Sequence, residues 1–599
     1  MDNLIQSHRA RLENLRGLGV DPFAARRFEV TAHAASLAER YEMLPPQGRD
    51  EIDSWAVAGR IMAVRRQGGV IFFDLHDRTG RFQLFVRRDD VGNEDFAIAK
   101  ELERGDIVGA AGFVFRTKAG DLALYLKSLE VLGKLLRPLP DKWHGLQDIE
   151  KRYRQRYVDL LVNPDVRDLM ITRSRIVAEM RRFIDAEGFL EVETPTLLNV
   201  AGGASARPFF THSNALNIPL SLRIATELYL KRLIVGGMER VYEIGRIWRN
   251  EGIDTTHNPE FTMLELYAAF WDVSDMMLFN ERLMAHLANV VHGSETVVHG
   301  DDVLSFAPPF RRIGYLEAFA EYGGIERERL LDAQACTRLL SEFGMPASPT
   351  HAHALDKLFE RIVEPRLLQP TFVYGYPVLL SPLAKRMKDD PQLTERYELF
   401  AGHMELANAF TELNDPDDQR RRFESQLGER AAGDAEVPPA DWDFVTALEY
   451  GMPPTAGIGV GIDRLVMMLT DKTSIRDVLL FPLQRPLPDL IAFNRRGLVR
   501  SALRDPEVVV DVLSASPEIR VAHKTTGQMT RVLLYESDSF PLMDFVTTAS
   551  PISHQLLSDI MKWSAHISAN AGKSPPAGEQ QNSDTVAAPS DSATPLNEG

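Results

Sequence analysis

The stretch 240-RVYEIGRIWRNEGIDTTHNPEFTMLELYAAF-270 decides how the chain is read. It reads as strand, loop, strand, and successive residues of a strand point to opposite faces. Along the first strand Arg249 and Glu251 share a face. Along the second, Phe261, Met263, Glu265 and Tyr267 share one face, while Leu264 and Leu266 take the other. An arginine, two glutamates and two aromatics thus stand opposite a leucine-lined core. A half-exposed hairpin with a salt bridge explains any one of these pairs. The whole set points instead to a binding surface.

Two further signatures flank this hairpin. Upstream, TRSRIVAEMRRFIDAEGF (172–189) places Ile176, Val177, Met180, Phe183 and Ile184 at helical spacing and stops at Gly188. The strand-like LEVETPTL follows; an ordinary amphipathic helix feeding a strand accounts for this part alone. Downstream, GIGVGIDRLVMML (457–469) alternates Gly457, Gly459 and Gly461 before Asp463-Arg464 opens an apolar helix. Glycine at every second position strips one strand face bare and lets a flat ligand approach. The spacing is not G-x-G-x-x-G and has no Walker lysine, so the Rossmann and P-loop readings fail. Just before it, HMELANAFTELND (403–415) sets Asn408, Phe410 and Glu412 on one strand face.

The N-terminal part has a different texture. Residues 1–54 read as a helical segment, and residues 55–135 as about five short strands separated by turns. That strand count fits a small Greek-key barrel of the oligonucleotide-binding type. In IFFDLH, Ile71, Phe73 and Leu75 form the core face, leaving Phe72, Asp74 and His76 outward. In RFQLFVR, Phe82, Leu84 and Val86 are core, leaving Gln83, Phe85 and Arg87 outward. Exposed aromatics on such barrels stack nucleobases, or else pack on a neighbouring domain. Seven arginines against four aspartates between residues 55 and 90 give this stretch a balance of +3. Residues 136–160 read as a linker and 161–486 as a long mixed α and β region. Residues 487–570 read as an appended segment matching no motif, and 571–599 as a disordered tail poor in large apolar side chains.

Composition bounds the remaining choices. The 599 residues include 85 acidic and 68 basic ones, a formal charge of −17, which argues against coating nucleic acid non-specifically but leaves room for a local basic site. A single cysteine, Cys336, excludes an intramolecular disulfide framework and suits a reducing cytosol. No apolar run of ~18 residues exists to span a membrane, and the N-terminal residues lack the apolar segment of a signal peptide.

The three signatures, in this order, resemble motifs 1, 2 and 3 of class II aminoacyl-tRNA synthetases. RPFFTHSNAL, RIATELYLKRLIVGG, SPLAKR, ANAFTELND and EYGMPPTAGIGVGIDRLVMML, together with the barrel, resemble the lysine–tRNA ligase family over roughly residues 1–486. The resemblance implies an α+β chain: an N-terminal OB-fold barrel that binds the anticodon, a catalytic domain on an antiparallel sheet flanked by helices, and a C-terminal extension. It implies L-lysine, ATP and tRNA(Lys) as substrates, magnesium as cofactor, a homodimer and a cytoplasmic location. By the same resemblance Arg249 bridges the α-phosphate and the lysine carboxylate, and Arg464 sits on the γ-phosphate. Glu251 takes the adenine amino group, Phe261 stacks on the ring, His257 lies near the phosphates, and Gly461 belongs to the ATP site. Glu412 and Tyr267 hold the ε-ammonium, Glu227 and Gly203 the α-amino group and Asn408 the carboxylate, with Glu265 and Phe410 completing the pocket. Glu398 and Glu405 match the magnesium ligands, and Phe72 and Gln83 match anticodon contacts. Thr256 stands where bacterial members usually carry arginine, which leaves His257 more of the phosphate contact.

Overall fold

The structure, a computed structural model, describes residues 2–140, 145–431 and 439–485, and three strands between residues 508 and 533. Contacts divide the chain into two compact units, residues 1–482 and 483–599. In the second unit, Val508–Val512, Glu518–His523 and Met529–Leu533 form a three-stranded antiparallel sheet. The rest of the appended segment, the expected tail from 571 and linker residues 141–144 lie outside the described residues.

The first unit opens with helices Asp2–Gly17 and Ala34–Arg40. Strands β1 (Arg49–Gln67), β2 (Val70–His76), β3 (Arg81–Arg87), β4 (Ile107–Arg116) and β5 (Leu122–Gly133) then close a barrel in the order β1-β2-β3-β5-β4. Its interior holds Ile71, Phe73, Leu75, Phe82, Leu84 and Val86, as the alternation predicts. The outer face is less open than expected. Phe72 is half-buried, with its ring centroid 5.1 Å from that of Phe85, and Phe85 in turn packs against Phe115 and Tyr125. Gln83 is paired in register with Asp74, and both are only 6% exposed, Asp74 lying beneath Arg65 and Arg81. Large outward rings on neighbouring strands cover one another, which sequence alternation cannot register.

The larger part of the unit is built in chain order from β6 (Leu190–Glu191), β7 (Leu197–Leu198), β8 (Phe210–Ser213), β9 (Ile218–Leu222), β10 (Arg240–Trp248) and β11 (Glu260–Ala269). Then come β12 (Thr296–His299), β13 (Asp302–Ser305), β14 (Arg311–Gly314), β15 (Thr371–Tyr374), β16 (Arg396–Ala401), β17 (Met404–Thr411) and β18 (Thr455–Gly461). Eight of them form one sheet in the order β14-β15-β16-β17-β18-β11-β10-β6, antiparallel except at the two edge pairs. Leu264, Leu266, Ala407, Ala409, Ile458 and Val460 make one buried face. Against it pack helix Pro164–Ala186, through Ile176, Met180 and Ile184, and helix Val273–His292. Gly188 ends the former at a φ of +83°, a conformation glycine adopts without the Cβ penalty. The opposite face of the sheet is left for the site.

Two local expectations are corrected. The segment LEVETPTL is not one strand: only Leu190–Glu191 and Leu197–Leu198 pair, with Pro195, which has no amide donor, between them. The motif 2 strand ends at Trp248, so Arg249 and Glu251 belong to the loop; Arg249 stays tied by donating its amide to Pro259 O at 2.9 Å.

Candidate active site

Met263, Glu265 and Tyr267 of β11 face Gly461, Gly459 and Gly457 of β18 across the sheet, and Asn408 and Phe410 of β17 face Gly459 and Gly457 from the other side. A cavity of about 620 Å³ lies over this surface. A Cβ on Gly457 would collide with Glu412 Oε1 and the Tyr267 ring, and one on Gly459 with the Met263 methyl. The bare glycine face thus first makes room for neighbouring side chains, a use that strand alternation does not reveal.

One end of the cavity is an acidic pocket. Glu227 lies in the first turn of helix Glu227–Val235, and Gly203 reaches it with a φ of +90°, at which a Cβ would press on Ala225 and Glu227. Glu265 accepts a hydrogen bond from the Thr226 amide at 3.1 Å and one from the Tyr267 hydroxyl at 3.4 Å. Burial, and then the charge of Glu227, push the Glu265 carboxyl up to about 7. Glu412, just past β17, is fully buried and ion-paired with Lys231, whose Nζ also meets Glu227 Oε1 at 2.5 Å. Burial opposes the charge of Lys231, yet Glu227 and Glu412 outweigh it and hold its pKa above the ordinary lysine value. Lys231 was not singled out from sequence; its only signal there is its place four residues after Glu227 on one helix face.

The other end carries Arg249 and Arg464 and reaches solvent. The Arg249 guanidinium lies over the Phe261 ring, 5.2 Å from its centroid, and donates to Ile224 O at 3.4 Å. Arg464 donates to Glu405 Oε2 at 3.1 Å and to His257 Nε2 at 3.0 Å. Because that nitrogen must accept, the proton of neutral His257 sits on Nδ1, which donates to Asp254 at 2.9 Å. Asp254 also accepts the amides of Thr256 and His257, each at 2.7 Å, which fixes the loop that carries Thr256. Glu251 lies at the exposed rim of the cavity. Asp463, legible in sequence only as part of a helix start, ties the three motifs together: it accepts the Thr262 amide at 2.7 Å and pairs with Arg173 at 2.6 Å.

Glu398 and Glu405 both face the cavity. Glu398 is held by Arg396 at 2.5 Å and by the Tyr376 hydroxyl at 2.7 Å. Burial lifts its carboxyl to about 7; Arg396 opposes the rise and Glu405 adds to it. Among the described residues no group of three or more His, Cys, Asp or Glu is set to hold a metal alone. Two hard carboxylates turned to one open cavity fit a cation that takes its other oxygens from water and phosphate. The structure therefore brings together every residue expected at the catalytic site: Gly203, Glu227, Arg249, Glu251, His257, Phe261, Glu265, Tyr267, Glu398, Glu405, Asn408, Phe410, Gly461 and Arg464 line one cavity, with Glu412 in its wall. Phe72 and Gln83 stand apart, on the barrel.

A sheet of this order, with an arginine from the loop after β10 and another from the helix after β18, behind a five-stranded barrel, defines a class II tRNA synthetase. A family model for tRNA synthetases class II (D, K and N) matches residues 148–485, and one for the OB-fold nucleic acid binding domain matches residues 55–132. The chain is 52% identical over 478 residues to a lysine–tRNA ligase of Moorella thermoacetica, covering 80% of this chain and 96% of that protein. It is 50% identical over 488 residues to a lysine–tRNA ligase of Halalkalibacterium halodurans, covering 81% and 97%. For a lysine–tRNA ligase of Bacillus subtilis the identity is 50% over 491 residues, 81% of this chain and 98% of that one. The chain belongs to the lysine–tRNA ligase family of class II tRNA synthetases.

Proposed function

We propose that the chain ligates L-lysine to tRNA(Lys) in two steps. The lysine carboxylate attacks the α-phosphorus of ATP, an oxygen–phosphorus bond forms, and the bond to the β-phosphate bridge breaks to release pyrophosphate. A ribose hydroxyl at the tRNA 3′ end then attacks the carbonyl of the lysyl-adenylate and releases AMP. The observation that carries this reading is the juxtaposition of a buried pocket of three glutamates with Arg249 and Arg464 in the lining of one cavity.

Positioning and charge compensation do most of the work in such an in-line displacement. Arg249, stacked on Phe261, neutralises the two anions as they meet at the α-phosphate, and Asn408 orients the carboxylate. Arg464 and His257 share a hydrogen bond, and both turn to the triphosphate end. Glu251 takes the adenine amino group, Phe261 supports the ring, and Gly461 leaves backbone room beside Arg464. Magnesium, held by Glu398 and Glu405, would screen the phosphate charge. Glu227 with Gly203 takes the α-ammonium, and Glu412 with Tyr267 the ε-ammonium beside Glu265 and Phe410. A cation entering a buried pocket needs such counter-charges, because an unpaired buried charge is costly.

Glu412→Gln should weaken lysine use by at least ~2 kcal/mol in lysine-dependent ATP–pyrophosphate exchange while ATP affinity stays close to wild type. Unchanged lysine affinity would remove Glu412 from the pocket assignment. Glu398→Ala and Glu405→Ala should each slow exchange, with partial rescue by raised magnesium; wild-type magnesium dependence in both would sink the metal assignment. Phe72 and Gln83 are proposed to meet anticodon bases. A cytoplasmic location is proposed, in keeping with the single cysteine, and a homodimer, supported by the exposed apolar side chains Leu190, Leu197 and Phe210 and tested by the mass in light scattering.

A further inference from the structure

Lys231 has no part in the scheme above, yet its ammonium is fully buried in the wall of the lysine pocket. It stands one helical turn after Glu227, and its Nζ lies between Glu227 Oε1 and Glu412 Oε2. The rings of Phe410 and Phe444 flank the Nζ, with centroids at 5.3 and 5.8 Å. A buried ammonium is tolerated only when paired, and here two carboxylates pair it. Neither oxygen of Glu412 has a hydrogen-bond partner among the described residues, and of the two only Oε2 has the ion pair with Lys231, so Oε1 is left without either. That oxygen lies against the space a Cβ on Gly457 would fill, and Gly457 lines the cavity.

We infer that Lys231 is a positioning residue for lysine selection: it fixes the Glu227 carboxylate and one oxygen of Glu412, leaving the other oxygen of Glu412 for the substrate's ε-ammonium. The inference rests on the assignment of Glu227 and Glu412 to the two ammonium groups. Charge counting supports it. Burial pushes the Glu412 carboxyl up and Lys231 opposes that rise; with Glu227 and Glu412 ionised and Lys231 cationic, the pocket carries −1 while Glu265 keeps its proton and −2 once Glu265 loses it. Lysine supplies two ammoniums, and its carboxylate is met by Arg249. Without Lys231 the pocket would carry a surplus negative charge, and its carboxylates would repel, move apart or take up protons. An amino acid with one ammonium would leave a buried carboxylate uncompensated, which builds discrimination into the wall.

Lys231→Met keeps the apolar stem and removes the charge. The KM for lysine in pyrophosphate exchange should rise about tenfold or more, while the KM for ATP and kcat stay within about twofold. Lys231→Arg, which keeps the charge, should retain more lysine affinity than Lys231→Met. In Lys231→Ala, ethylammonium at millimolar levels should lower the raised lysine KM by filling the place of Nζ, an effect absent from the wild type. If Lys231→Met fails to accumulate, the ethylammonium dependence carries the test. An unchanged lysine KM in Lys231→Met overturns the inference. So does a loss in Lys231→Ala that ethylammonium leaves untouched and Lys231→Met repairs, since packing alone would then suffice. Glu412→Gln separates the two levels. If it leaves lysine KM unchanged, the pocket assignment itself fails; if it raises KM while Lys231→Met does not, only the role of Lys231 fails.

Discussion

Glu265 holds a proton whose loss falls at working pH. Burial and the neighbouring Glu227 charge raise its carboxyl to about 7, and the Thr226 amide only partly offsets them. The empty pocket therefore carries the neutral acid below about pH 7 and the carboxylate above it. An arriving ammonium favours the carboxylate, so lysine binds more tightly as pH rises through this range. Below it, affinity should fall by at most about tenfold per pH unit, the limit for one linked proton. The lysine KM in pyrophosphate exchange between pH 6 and 8 checks this, and Glu265→Gln should flatten the profile. A flat wild-type profile would show that this carboxyl does not titrate in the pocket. At this scale the shared face of Glu265 and Tyr267 is legible from strand alternation, and their place in the lysine pocket only from the family resemblance. Lys231 is not legible: a lysine on a helix face reads as solvated, and only its partner Glu412, distant in sequence, reveals that it is buried.

Strand β18 sets the pocket depth through its glycines, and two substitutions there should differ in a defined way. A methyl group on Gly457 meets a carboxylate oxygen and a ring edge, both fixed by burial, whereas one on Gly459 meets the terminal methyl of Met263, which can swing aside. Gly457→Ala should therefore raise lysine KM about tenfold or more, and Gly459→Ala much less, provided both fold, as the far-UV circular dichroism would show. Equal effects would mean that the strand as a whole, not the pocket, responds. The helix before β6, the core face of β11 and the barrel strands could all be read from periodicity, because burial on one face leaves a repeat in the sequence. The ends of elements could not. Whether Arg249 closes a strand or opens a loop depends on where its partner strand starts, and β11 begins only at Glu260.

Across the whole molecule, the chemistry and the proposed base recognition sit on separate sheets, and the second compact unit carries none of the site residues. A chain ending at Pro486 should thus stay folded and charge tRNA, since all the motifs lie upstream; loss of folded protein would show that the later residues complete the core. The barrel gives a sharper test. Phe72 is half-buried against Phe85, with Arg65 over its ring at 5.8 Å, so part of its surface is left for a base and part already packs. A stacked base is worth ~1–3 kcal/mol, so Phe72→Ala should lower the charging efficiency (kcat/KM for tRNA) roughly ten- to a hundredfold. Lysine-dependent pyrophosphate exchange should be almost untouched, because adenylate forms on the other sheet. The partial burial adds a second expectation: the melting temperature should drop slightly, as loss of an aromatic contact worth about 1 kcal/mol predicts. If exchange fell in step with charging, or charging stayed normal while the melting temperature fell, Phe72 would serve packing, and the aromatic outer face would be a second core rather than a platform for bases.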